Sequence, residues 1–249
     1  MRKARLLVEN GVFFKEVVDL RTERLLQHIS DRARSRGMKI NAAKTSLVCI
    51  SAATSFESRV RLELDGQTVR GQDQMKILGV TLDRDCTFRS HVDNLQRRLR
   101  ARTWALSRLR KKGLSTDRLL RAYKCLIRPT VEYASPAWHS LLSAEQSDRI
   151  ERQQIQALKN IYGPGLSASK MRSKADLPLL RTRREEITLK FAQKATTNKR
   201  CSGWFVERAA PKYARRASTN YPRYQEPTAR TDRFRNSPIN YMIRLLNKT

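Results

Sequence analysis

Apolar positions follow two rhythms along this chain, and the change between them falls near residue 91. From Thr22 to Arg36 the pattern predicts a helix with Leu25, Leu26 and Ile29 on one side and Gly37 as its stop. The run SLVCIS, Ser46 to Ser51, reads as a buried strand. Val60, Leu62 and Leu64 then alternate with charged residues and meet Asp65-Gly66, a hairpin signal. A third strand is expected over Lys76 to Asp83, completing a small antiparallel sheet.

From His91 the spacing turns helical. Val92, Leu95, Leu99, Leu106 and Leu109 recur at intervals of three, four or seven, with Arg97, Arg98, Arg100, Arg108 and Lys111 mainly on the other side. A second helix is predicted from Asp117 to Arg128, with Leu120, Tyr123 and Ile127 inward and Pro129 breaking or kinking it. A third begins at Ser143, where Ser-x-x-Gln forms a capping box with Gln146, and stops at Gly163-Pro164. Short links between the three imply a bundle.

Beyond Leu166 the pattern loosens. Pro178 to Thr197 reads as an amphipathic helix through Leu180, Ile187 and Phe191. Ala209 to Asn236 is rich in Arg, Pro, Ser and Thr, as in segments that are mobile or order on a partner. The end regains a capped helix, with Ser237 before Pro238 and Ile239, Met242, Ile243 and Leu246 available for docking. The fold class expected is therefore α+β: a small sheet, a helical bundle and a partly disordered basic tail, divided at 1–90, 91–165 and 166–249.

Charge sharpens this division. The 249 residues hold 52 Lys and Arg against 23 Asp and Glu, a net charge of +29. Such an excess makes a polyanion the expected partner. Residues 51–90 are neutral, with six charges of each sign, whereas His91 to Arg128 carries twelve basic residues and only Asp93 and Asp117. A solvated helix face normally mixes signs. The segment therefore favours nucleic acid, with Arg97, Arg98, Arg100, Arg108, Lys111, Lys112 and Arg121 as the candidate contacts. No long apolar span suggests a membrane partner.

Other chemistry finds little support. Cys49, Cys86, Cys125 and Cys201 are far apart, and with His28, His91 and His139 they make no recognisable zinc spacing. Charges inside the first residues, MRKARLLVENGVFFKE, do not suit a signal peptide, so an intracellular protein, nuclear or cytoplasmic, is expected. Of the aromatic residues, Trp104 and Trp138 read as helix packing. Trp204-Phe205, among basic residues, reads either as a base-stacking pair or as an anchor for the tail.

The order of short motifs carries a family resemblance. Gly37, Met38, Lys39, Ile40, Asn41, Lys44 and Thr45 are followed by Leu78, Gly79, Val80, Leu82, Asp83, Phe88 and His91. Next come Arg128-Pro129, Glu132-Tyr133-Ala134 and Trp138, then the helix from Ile150 to Tyr162. This series resembles the end of the palm and the thumb of non-LTR, LINE-type retrotransposon reverse transcriptases, over roughly Leu25 to Gly165. The resemblance implies that Leu78, Gly79 and Val80 match a primer grip, that Lys44 matches a palm lysine near the nucleotide, and that the thumb holds RNA or DNA, as duplex or hybrid, by its backbone.

It also implies an enzyme using Mg²⁺, held by one earlier carboxylate and an Asp-Asp turn upstream of the GMKIN position. No Asp-Asp pair occurs in these 249 residues. Asp83 and Asp85, separated by Arg84, read as a solvated turn. Met1 therefore looks like a start inside a longer reading frame, and the expectation is a nucleic-acid-binding segment with no catalytic residues, metal or cofactor of its own. Two alternatives stay open: part of an active polymerase whose palm is supplied elsewhere, and a basic ribonucleoprotein component.

Overall fold

A computed structural model describes residues 13–48, 50, 61–64, 66–208 and 222–248, with side chains of the first helix described from residue 24 onward. The chain forms two units, Met1–Cys86 and Thr87–Thr249. In the first, helix α1 (Phe13–Arg34) ends where Gly37 takes φ +69°. The Gly37 and Met38 amides bond back to the Arg34 and Ala33 carbonyls, both at 2.9 Å. This is the left-handed stop that only glycine adopts without strain.

The buried position on α1 differs from the predicted one. Leu25 and Ile29 are 60% and 47% exposed, and Ser30 is buried instead. Leu26, Ser30 and Ala33 make a narrow line, in keeping with the short strand β1 (Arg61–Leu64) being the element that α1 packs against. β1 pairs with β2 (Gln67–Arg70) through the expected hairpin, Leu64 opposite Gln67, with Leu64 and Val69 buried. From the predicted SLVCIS strand, Leu47 makes a single parallel bridge to Gly71; Cys49 and Ser51 lie outside the described residues.

The expected third strand is itself a hairpin. β3 (Gln74–Ile77) and β4 (Val80–Asp83) pair antiparallel around the two-residue turn Leu78-Gly79. Both turn residues have positive φ, +45° and +86°, the backbone twist that lets strands separated by two residues pair directly. Lys76 and Asp83 thus lie on opposite strands. The described residues hold two separate two-stranded sheets.

The second unit is helical. Helix α2 (Arg89–Lys111) buries Val92, Leu95, Gln96, Leu99, Thr103 and Leu106, alternating by three or four, against α6 (Ala144–Tyr162). The facing residues on α6 are Ile150, Gln154, Ala157, Leu158 and Ile161. The capping box at Ser143 forms as predicted: Gln146 N–H donates to Ser143 Oγ at 3.2 Å and Ser143 N–H to Gln146 Oε1 at 2.7 Å. Gly163, at φ +94°, ends α6.

Between α2 and α6 runs an interrupted rod. α3 (Thr116–Ala122) passes through a π-helical turn (Tyr123–Ile127) into α4 (Arg128–Glu132), so Pro129 does not stop the chain but begins α4 after the widened turn. Leu119 faces inward together with Tyr123 and Ile127, whereas Leu120 is only half-buried. Short helix α5 (Ser135–Trp138) follows.

The remaining helices close the other side. α7 (Ala168–Ala175) leads to α8 (Leu180–Thr197), whose buried line is Leu180, Arg184, Thr188, Ala192 and Ala195. Phe191 is exposed and Ile187 half-buried, so the packed face is turned from the one that hydrophobicity suggested. Small residues admit a close neighbour: the C-terminal helix α10 (Pro238–Leu246), preceded by one turn of helix, α9 (Asp232–Arg235). Met242 and Ile243 dock there with Phe205 and Tyr224 around Ala192 and Ala195, and Ile239 and Leu246 at the margin. Phe205 is thus an anchor of the tail.

Within the stretch read as mobile, residues 209–221 lie outside the described residues. Tyr224 is buried, and the Asn247 side chain accepts from its amide (2.8 Å) and donates to its carbonyl (3.0 Å).

Candidate nucleic-acid interface

Helical geometry sorts the cations of α2 into three groups. With Leu99 and its heptad partners inward, Arg97, Arg100, Trp104, Arg108 and Lys111 form one outward stripe at spacings of three and four. All five are exposed, as are Lys112 just beyond the helix and Arg121 on α3. Arg98 is exposed on the other flank.

Arg102 and Arg110 are exposed too, but their guanidinium groups are engaged by neighbouring helices. Arg102 reaches the Leu126 carbonyl and the Thr130 hydroxyl beside Pro129. Arg110 donates to the carbonyls of Lys159 and Asn160, at 3.2 and 3.1 Å, completing the C-terminus of α6. Cations at helix C-termini complement the partial negative charge there.

Trp104 departs from the sequence expectation. It is 65% exposed in the middle of the stripe, and the Arg108 guanidinium lies 5.5 Å from its ring centroid. Trp138 does pack: it is fully buried, and its indole N–H donates to the Tyr133 carbonyl at 3.1 Å.

Helix α6 extends the basic surface. Asp93, one turn before Arg97, pairs with Arg149 at 2.7 Å, joining the outward edge of α2 to that of α6. Arg152, Gln156 and Lys159 follow Arg149 at i+3, i+7 and i+10, all exposed. Arg149, Arg152 and Lys159 were missed from sequence because Glu145, Asp148 and Glu151 in the same helix make its charge look mixed. Their spacing was the available signal.

The motif residues Phe88, His91 and Trp138 come together inside the second unit. Phe88 meets His91 edge-on at 6.3 Å, and the His91 ring lies 5.2 Å from Trp138. Burial, aided by the positive field of Arg98, lowers the His91 pKa to about 4, so the imidazole is neutral. Trp138 also lies under the buried Arg184 guanidinium, at 5.8 Å. These residues hold the bundle together.

In the first unit, Leu78 stands at the tip of the β3–β4 turn, 86% exposed at φ +45°. A bulky residue in that region is strained. Gly79 and Val80 complete the turn and start β4. Lys44 is exposed at the end of a 3₁₀ turn (Ala42–Lys44) whose Asn41 side chain accepts its amide at 3.2 Å.

The Mg²⁺ implied by the resemblance would need a cluster of carboxylate donors. Among the described residues no three His, Cys, Asp or Glu side chains cluster as a metal site would require. Arg84 stands 3.5 Å from the Asp85 carboxylate. The described residues do not fit the ion.

No family model matches the chain, and no solved structure does. Curated proteins do match. The RNA-directed DNA polymerase from mobile element jockey of Drosophila funebris is 30% identical over 147 residues, 55% of this chain. The probable RNA-directed DNA polymerase from transposon X-element of Drosophila melanogaster is 34% identical over 113 residues, 44% of this chain. The resemblance to non-LTR reverse transcriptases is borne out. The Drosophila melanogaster jockey polymerase agrees, at 28% over 133 residues. The matched stretches amount to 15%, 12% and 14% of these retrotransposon relatives, so this chain aligns with only a small part of each. No described helix is long and apolar enough to cross a membrane.

Proposed function

We propose that this reverse transcriptase-like chain binds the phosphate backbone of RNA or DNA, as duplex or hybrid, along α2 and α6, and does not polymerise by itself. The observation that carries the reading is the outward stripe of Arg97, Arg100, Arg108 and Lys111, all exposed, with Arg152 and Lys159 exposed on α6. Guanidinium groups fork onto phosphate oxygens, and a row of them follows a backbone without reading bases. Lys112, Arg121 and Arg98 add charge at the margins. Leu78-Gly79-Val80, by the same family resemblance, serves as a primer-grip turn, and Lys44 contributes surface charge.

The mechanism is electrostatic. Each phosphate neutralised releases condensed counterion, so affinity falls with salt, and removing four contacts lowers the slope of log affinity against log salt by about 3 to 4. Changing Arg97, Arg100, Arg108 and Lys111 to Gln in one variant should produce that drop on duplex and hybrid probes. An unchanged slope overturns the assignment. Because the relatives extend far beyond the matched stretch, a palm supplied by another chain is the second reading. Primer extension with magnesium and nucleotides, absent alone and gained on adding that palm, supports it.

A further inference from the structure

The exposed indole in the middle of the cationic stripe is unexplained by phosphate binding. Trp104 packs against no core, yet it is 65% exposed where the helix pattern alone would place a polar side chain. Arg100 precedes it by one turn, Arg108 follows by one turn and lies over its ring, and Lys111 stands two turns on. Spacing of this kind sets an aromatic face among charges that bind phosphates on either side of it. Scattered exposed hydrophobic residues are common, but an indole flanked by guanidinium groups combines the two elements that bind unpaired nucleotides: a stacking surface and a backbone track.

We propose that Trp104 stacks an unpaired nucleobase, so that the α2 surface prefers nucleic acid with a single-stranded segment beside a duplex over a blunt duplex. A blunt duplex keeps its bases stacked on one another and offers the indole only sugar and phosphate. At a junction, the first unpaired base has a free face, and Arg97, Arg100 and Lys111 hold the adjoining phosphates. Arg108, now against the ring, either covers the opposite face or moves onto a phosphate. Stacking is indifferent to base identity and to the 2′-hydroxyl, so RNA and DNA junctions are bound alike. This rests on the proposed phosphate-binding role.

The test compares the full chain with W104A and W104F on a blunt duplex, an overhang duplex and a single strand of equal phosphate number, each in RNA and DNA, by fluorescence anisotropy across a salt series. One stacked base corresponds to about 1–3 kcal/mol, roughly a five- to 150-fold preference for the overhang duplex. W104A should abolish that preference and leave the salt slope and blunt-duplex affinity unchanged; W104F should retain part of it. Unchanged urea unfolding of W104A shows that the loss is local. If wild type binds blunt and overhang duplexes equally, or W104A keeps the preference, stacking is refuted while phosphate binding survives. If no probe binds at all, both fall.

Discussion

Lowering the pH from about 7 to about 5 should destabilise the helical unit through His139. His139 is buried between α5, α6, α8 and α10, and its Nδ1 accepts from the Arg184 Nε–H at 3.2 Å. That bond needs the neutral ring with its proton on Nε2. Protonation would place a cation against the Arg184 guanidinium, with Arg181 adding repulsion. Tyr241 lies edge-on at 5.9 Å, and its hydroxyl donates to Glu185 at 3.0 Å.

Burial first, then Arg184 and Arg181, lower the His139 pKa to about 3 from a usual 6.5. The unfolded chain therefore takes up a proton below pH 6.5 that the folded chain refuses. Stability is fully present above 6.5 and falls as pH drops toward 3, at about 1.4 kcal/mol per pH unit. By about pH 5 the loss is about 2 kcal/mol. His91, lowered to about 4, adds a similar amount.

Urea unfolding of wild type, H139Q and H91Q at both pH values measures this. Glutamine still offers Arg184 an acceptor oxygen but cannot be protonated. Each variant should therefore lose about 2 kcal/mol less than wild type on acidification, whatever its stability at neutral pH. If wild type and H139Q lose the same amount, the buried-imidazole account is wrong.

Two further outcomes follow from long-range caps. Glu151 on α6 accepts from the amides of Leu180 at 3.0 Å and Arg181 at 2.6 Å, capping α8 where Leu179 offers no side-chain acceptor; E151A should cost about 1–2 kcal/mol in thermal or urea unfolding. Asn247 clamps both backbone groups of Tyr224, so N247A should cost about 1–3 kcal/mol and speed amide exchange around residues 222–226, with little change within α2.

Much of the fold was legible because it depends on near neighbours. The capping box at Ser143, the stop at Gly37, the Asp65-Gly66 hairpin and the inward line of α2 all follow from residues two to four apart. The sequence misled where packing chose between faces of comparable polarity. α8 turned Arg184 inward instead of Phe191, where His139 and Ser147, 45 and 37 positions away, accept from its Nε and Nη2. The strand expected at Lys76–Asp83 folded back at Leu78-Gly79, although leucine is a poor candidate for a left-handed turn.

The candidate interface divides in the same way. Composition and periodicity alone establish a cationic α2 with a polyanion as its expected partner, and the order of motifs carries the resemblance to retrotransposon reverse transcriptases. Neither distinguishes among the arginines. Arg102 and Arg110, although exposed, have guanidinium groups already engaged, because Leu126 and Asn160, 24 and 50 positions on, hold carbonyls that accept from them. Trp104 stays outside because it lies on the face of α2 opposite Leu95, Leu99 and Leu106, the line that packs. Charge and period are local properties of a chain, whereas a side chain's availability to a ligand depends on distant groups that compete for it, and those meet only in the folded molecule.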